Sequence, residues 1–468
     1  MKKQTGTLDW RIIMCVFVGG CMAASLMLYY VSNLCELAYQ MVLAPAAFLL
    51  MGLVLFQTDA MKNLPGRILW GAFLCFFLSL LTNEKVYGSL LENRGYFYSL
   101  VIQLFVCFPL WAALSGTQRE KALNWLMRLS LFLVAAACAI GVYAACTNQY
   151  FEPWVNMDYG IGIFVKPNGD GSLHRLTILC HANSVGLIGS VGLLLGVWML
   201  LTRRSLFEKL LTGIACLLIY VAVALSVSRT SMLAVSGGMA LFAFRFAFLR
   251  LQRKKPLLRI GGALAAGLVL LVLTYGLFSP AVSLVTKVAV STSAPASAPA
   301  QSAEVTPSPE QVQPADSAAL IEERPLTADV VAFSGRPFIW KQAVSTFGSN
   351  PRLWLFGHSP SEVGNQVSPS LLIWTTQMHS SFVQILIASG LPCLLLFLAF
   401  LVVLGRRCIR LYFGGGTGST DLGYLPAILV PIVVFALMES FLVIYPQLYF
   451  ANLWFFLLAG AACTEGAK

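Results

Sequence analysis

Apolar stretches of about 20 residues, the length a helix needs to span a bilayer core, alternate with short polar joints along nearly the whole chain. The pattern predicts about twelve spans, centred near Val18, Ala47, Cys75, Val106, Ala137, Gly192, Leu218, Gly237, Leu268, Leu395, Val433 and Phe456. The runs are continuous rather than alternating, which selects helices over a closed barrel. One stretch breaks the rhythm: Ala281 to Phe382, between the ninth and tenth spans, is largely polar. The expected fold is an all-α integral membrane protein of about 12 transmembrane helices with one large extramembrane loop. Residues 1–280 hold spans one to nine, 281–382 the loop, and 383–468 the last three spans.

The loop has two parts. Residues 291–316 are rich in Ser, Ala and Pro without apolar periodicity, the composition of a disordered or polyproline-like spacer. Residues 327–382 are expected to be structured. There Phe338, Ile339, Ala343, Val344 and Phe347 predict one face of a short helix, starting near Pro337 and stopping at Gly348. Arg336 falls close to the cap of that helix, beside backbone N–H groups with no intrahelical partner, which suits an anion. The plainer alternative is an arginine bonded to its own loop or to Glu362. A smaller polar joint, Thr147 to Arg175, contains the turn signal Pro167-Asn168-Gly169-Asp170-Gly171.

Only 11% of the 468 residues are charged and 58% are hydrophobic, against about 25% charged in soluble domains. With the amino terminus inside, the cytoplasmic joints hold about two-thirds of the basic residues and under a third of the acids, as the positive-inside rule requires. The densest cluster, Arg250, Arg253, Lys254, Lys255 and Arg259, then lies inside, and the large loop and the Thr147–Arg175 joint lie outside. Both termini are expected in the cytoplasm, with the protein in the cytoplasmic (inner) membrane. The net charge of +11 reflects insertion and contact with anionic membrane lipids rather than nucleic acid. The amino terminus has signal-peptide character and a lipoprotein-like Val18-Gly19-Gly20-Cys21, but its apolar run continues past Tyr30 as an uncleaved first span would. Of the 12 cysteines, Cys35, Cys146 and Cys180 lie near the outer face, either paired or as buried thiols.

All four histidines, His174, His181, His358 and His379, map to the outer side. His379, in Met378-His379-Ser380-Ser381, sits where the loop re-enters the membrane, and Ser380 or Ser381 is positioned to cap that helix. An imidazole at that boundary can accept a hydroxyl proton near neutral pH; the alternative is an interfacial histidine with no role. Arg229 lies at an outer turn with no acidic neighbour in sequence, and a charge at that depth is a functional candidate. Arg245 is expected to snorkel to the inner interface. Glu439, the lone acid within a span, would partner Arg229 or cradle a sugar. No Asp-x-Asp motif, Gly-x-Ser-x-Gly elbow, P-loop or zinc spacing occurs on the outer face, so neither a metal nor a cofactor is expected. Arginines without paired carboxylates suit a substrate whose leaving group is already a phosphate.

These motifs together resemble the O-antigen ligase and polymerase superfamily of bacterial membrane glycosyltransferases, from about Thr177 to Ile409. The resemblance is carried by His181-Ala182-Asn183-Ser184-Val185-Gly186, Ser226-Val227-Ser228-Arg229-Thr230, Gly335-Arg336-Pro337-Phe338-Ile339-Trp340, Leu355-Phe356-Gly357-His358-Ser359 and Met378-His379-Ser380-Ser381-Phe382, running on to Gly390-Leu391. It implies that Arg229 and Arg336 hold the pyrophosphate of a polyprenyl-linked oligosaccharide donor, and that His379 activates the hydroxyl of a glycan or lipid-linked acceptor. It further implies a metal-independent, inverting transfer, and His181, Asn183 and His358 of these motifs, together with the lone acid Glu439, are further substrate-binding candidates. The chain departs from the usual pattern at Ser380, where asparagine is typical, and at Gly357-His358-Ser359, where Gly-x-Gly is commoner. Repeat-unit polymerisation and ligation onto a lipid core or protein both fit, and no chain-length regulator is specified. A division-type cell-wall polymerase fits less well, with Asp329 as its nearest external aspartate. The rival from another class is a transporter or flippase of lipid-linked sugars, which would place charged groups at mid-membrane.

Overall fold

The computed structural model describes residues 9–27, 39–57, 64–82, 94–152, 160–168, 171–178, 180–203, 205–292, 336–360, 363, 378–414, 421–442 and 450–464. Every predicted span centre lies in a helix: α1 (Trp10–Met27), α2 (Ala44–Gln57), α3 (Leu64–Thr82), α4 (Arg94–Cys107), α5 (Gly116–Cys146), α6 (Ala182–Thr202), α7 (Leu206–Leu225), α8 (Arg229–Arg250) and α9 (Pro256–Gly276). After α10 (Phe278–Thr292), α11 (Arg336–Ser345) and α12 (Pro351–Phe356) come the last three, α13 (Ser381–Phe413), α14 (Pro426–Met438) and α15 (Phe450–Thr464). Among the described residues, 8 helices are long and apolar enough to cross a membrane, and four shorter apolar ones accompany them. The architecture is that of an all-α, multi-pass membrane protein. Helix continues through α10 to Thr292, past the position where the large loop was expected to begin. Most of the 291–316 spacer, Asp329, Glu362 and Cys35 lie outside the described residues.

One feature departs from an all-helical reading. The Pro167–Gly171 turn signal joins two antiparallel strands, β1 (Ile161–Asn168) and β2 (Gly171–Ile178), paired so that Asn168 faces Gly171. The small ribbon sits against α5 and α6, and Leu176 and Ile178 are buried there.

Helix α6 is the buried axis of the central group, lying against α5, α7 and α8. Gly186 makes one of those approaches possible, because a Cβ there would run into the Ser231 side chain of α8. Helix α13 is broken at Gly390, whose φ of 81° and ψ of 174° leave the helical region, and Pro392 follows. The break frees carbonyls of the preceding turn. Ile387 and Ala388 accept instead from the backbone N–H groups of His358 and Ser359, at 2.8 and 3.0 Å.

Arg245 does not snorkel. Its side chain is fully buried, its Nη2 donates to both Asp421 oxygens at 2.7 and 2.8 Å, and Tyr424 lies 5.1 Å below the guanidinium. The carbonyls of Leu411 and Tyr412 accept from its Nη1 and that of Gly414 from its Nη2, whereas its buried Nε–H has no partner among the described residues. Burial without such partners would be prohibitive. The residue therefore clamps the connection between α13 and α14 onto α8.

Candidate active site

The start of α6, the turn between α7 and α8, the start of α13 and the end of α14 meet at the opposite end of the bundle from Arg245. Their shared centre is Glu439, the residue that terminates α14 in an extended conformation. Its carboxylate is mostly shielded, at 14% exposure. Oε1 accepts from Arg336 Nη2 at 2.9 Å and from Asn183 Nδ2 at 3.0 Å. Oε2 lies 3.4 Å from His379 Nδ1. Thus Glu439 partners Arg336, Asn183 and His379, and the predicted alternative of an Arg229 pair gives way to these contacts.

Local sequence explains how these groups arrive. Arg336 is the first described residue of α11. Trp340, one turn along the same helix, donates its indole N–H to the Met378 carbonyl at 2.8 Å. One helical face therefore ties Arg336 to the segment carrying His379. Ile339 and Ala343 on that helix, and Phe347 in the turn after it, are buried as the periodicity predicted, whereas Phe338 is 52% exposed and does not share their face. His379 itself has a φ of +48°, a left-handed conformation uncommon for a residue with a Cβ. Neighbours hold it there: Met378 N donates to Gln384 Oε1 at 3.0 Å and Ser380 N to Ser440 Oγ at 3.1 Å. Ser380 occupies the helix-cap position but its side chain makes no capping bond. Ser381 acts instead, donating its hydroxyl to the Glu439 carbonyl at 2.8 Å and accepting from the Phe441 and Leu442 N–H groups at 3.1 and 3.0 Å. This staple joins the start of α13 to the end of α14.

Sequence reasoning missed Arg175. From β2 its Nη2 donates to Asn183 Oδ1 at 2.6 Å and its Nε to the Ser226 carbonyl at 2.9 Å. Between an arginine and a carboxylate, the Asn183 amide has its orientation dictated, since one neighbour only donates and the other only accepts. Its signal lay in Ile161, Ile163, Phe164 and Val165, β-branched and aromatic residues followed by a turn, which mark a hairpin whose second strand ends beside the bundle. Arg175 thereby reaches the turn before Arg229, where Val227 is held at a φ of +48°, an outlier for a β-branched residue. Arg229 opens α8, half-buried, with its charge acting on Tyr275 of α9. The structure brings Arg336, His379, Asn183 and Glu439 into direct contact, and Arg175 links them to the Arg229 turn.

Two other candidates have structural partners. His181 caps α6, its Nδ1 accepting from Asn183 N at 3.2 Å. His358 Nε2 lies 2.9 Å from Thr346 Oγ1, and its ring packs on Phe347. It belongs to the Gly357–Ser359 clip on the α13 break. Ser359 has a φ of +74°, so the departure from Gly-x-Gly falls where glycine is accommodated without strain. Cys180 is a buried free thiol. Among the described residues no group of three His, Cys, Asp or Glu side chains with metal-binding geometry forms.

The stretch that supplies Arg229, Arg336 and His379 decides the family comparison. Residues 214–398 match the family model described as O-Antigen ligase. Residues 214–398 are thus similar to the O-antigen ligase family, which supports the superfamily that the motifs implied, and the similarity points to a membrane glycosyltransferase of that type. His358 also falls within the match, whereas Arg175, His181, Asn183 and Glu439 lie outside it and reach the O-antigen ligase residues only through folding. No curated protein sequence matches the chain.

Proposed function

We propose that this protein transfers a glycan from a polyprenyl pyrophosphate carrier to a hydroxyl acceptor at the extracytoplasmic face of the cytoplasmic membrane. The supporting observation is the Glu439 centre, which holds a guanidinium from α11 and an imidazole from the start of α13 against one carboxylate. In the proposed step His379 takes the acceptor's O–H proton as that oxygen bonds to the anomeric carbon. The bond from that carbon to the phosphate oxygen breaks, its electron pair leaving on the polyprenyl pyrophosphate. Attack opposite the leaving group inverts the centre. Arg336 and Arg229 neutralise the diphosphate, for which planar guanidinium groups are suited. A leaving group already ionised needs no metal to depart, so the transfer is metal-independent.

Extension of repeat units for a capsule, exopolysaccharide or O-antigen is the favoured reaction, with ligation to a lipid core as the variant that differs in acceptor. The test is His379→Ala, assayed by glycan length with purified lipid-linked units in detergent. Loss of chain growth, about 100-fold or more for removal of a general base, is expected. Unchanged growth would remove the histidine mechanism, and donor movement across vesicles without new glycosidic bonds would show a transporter.

A further inference from the structure

We infer that Glu439 is the positioning residue of this site: it orients the His379 imidazole and, before the donor arrives, occupies the Arg336 guanidinium that the pyrophosphate then takes over. This rests on the glycosyl-transfer reading above. The two carboxylate oxygens are divided between the two functions. Oε1 takes Arg336 and Asn183, while Oε2 faces His379 Nδ1. A carboxylate at Nδ1 favours the tautomer protonated there, leaving Nε2 free for the acceptor hydroxyl, and stabilises the imidazolium once the proton has moved.

The backbone beneath the carboxylate does not depend on Arg336. Glu439 N donates to the Phe435 carbonyl at 3.0 Å, and its own carbonyl takes both the N–H and the hydroxyl of Ser381. Departure of Arg336 to a diphosphate would therefore leave the carboxylate in place, with Asn183 still on Oε1. It would also leave one positive partner fewer. Among the described residues, the charged and titratable groups facing it would then be His379 directly and, through Asn183, Arg175 of β2 and His181 of α6. The carboxylate can then turn its charge to the protonated imidazole. Donor binding thus prepares the base, and the Arg336 contact keeps the empty site balanced.

The experiment compares wild type, Glu439→Gln, Glu439→Asp and His379→Ala as full-length protein in detergent. Donor affinity is read with polyprenyl pyrophosphate as the probe, and kcat with the lipid-linked unit. Glu439→Gln retains the shape and loses the charge. Its affinity for the probe should rise several-fold as Arg336 is released, while kcat falls about 100-fold. Glu439→Asp keeps the charge and should lie between wild type and Gln on both measures, which also decides the matter if the Gln variant does not fold. Affinity and kcat falling together in the folded variants, or neither changing, would overturn the inference. Normal growth with His379→Ala would sink the glycosyl-transfer mechanism itself, whereas an inactive His379→Ala without the affinity–kcat split would sink only the role given to Glu439.

Discussion

Asp421→Ala isolates one charge whose surroundings are unusually well defined. Arg245 is wholly buried, and Asp421, only 12% exposed, supplies its counter-charge through two bonds of 2.7 and 2.8 Å. Removing one partner of a buried pair costs about 3–5 kcal/mol, because the remaining charge is left uncompensated. Three backbone carbonyls and the Tyr424 ring still face the guanidinium, so the lower end, about 3 kcal/mol, is expected. Reversible unfolding in detergent, followed by tryptophan fluorescence, measures the difference. Activity should fall as well, since the clamped segment joins α13 to α14, and their other ends carry His379 and Glu439. A loss of about 1 kcal/mol or less, the value for a solvent-exposed pair, would show that the guanidinium escapes to water and would refute the clamp.

Two further predictions probe the site's supports. Arg175→Ala should raise the donor KM about tenfold with a smaller change in kcat, matching the loss of a charged hydrogen bond worth about 1.5–3 kcal/mol; Arg175→Lys should not restore it, because one ammonium cannot span both Asn183 and Ser226. An unchanged KM in initial-rate assays would count against this linkage. Gly390→Ala should sharply reduce the monodisperse fraction in size-exclusion chromatography, since its backbone conformation carries about 1–3 kcal/mol of strain for other residues and a Cβ would meet the Leu355 carbonyl; a normal elution profile would show that the α13 break tolerates a side chain.

The spans were legible because a continuous apolar run states its own environment, whatever packs against it. His379, Arg229 and Arg336 stand out in the sequence for the opposite reason: each is a polar interruption at a helix start. Their partnerships were not. Glu439 stood out as a lone acid, yet its contacts lie 60, 103 and 256 positions away, and nothing local selects among them. Arg245 was misread for the same cause, since Asp421 is 176 positions distant. Arg175 was overlooked because a strand-borne residue was not expected among helices, although the run before the Pro167–Gly171 turn carried a hairpin signal.

The charge pattern argues that Glu439 is more than a structural anchor. Arg175, Arg336 and Arg229 approach this end of the bundle from β2, α11 and α8, and the described contacts bring in one carboxylate. A site meant only to capture a diphosphate would gain nothing from an acid that competes for Arg336. A site that must also remove a proton has a use for it, because a carboxylate beside the imidazole orients the ring and stabilises the imidazolium that proton transfer creates. A carboxylate facing the imidazole on one oxygen and a guanidinium on the other meets both demands, provided the guanidinium can change partners. The Ser381 staple allows that change by fixing the Glu439 backbone through α13, so that the carboxylate stays in register with His379 while Arg336 moves.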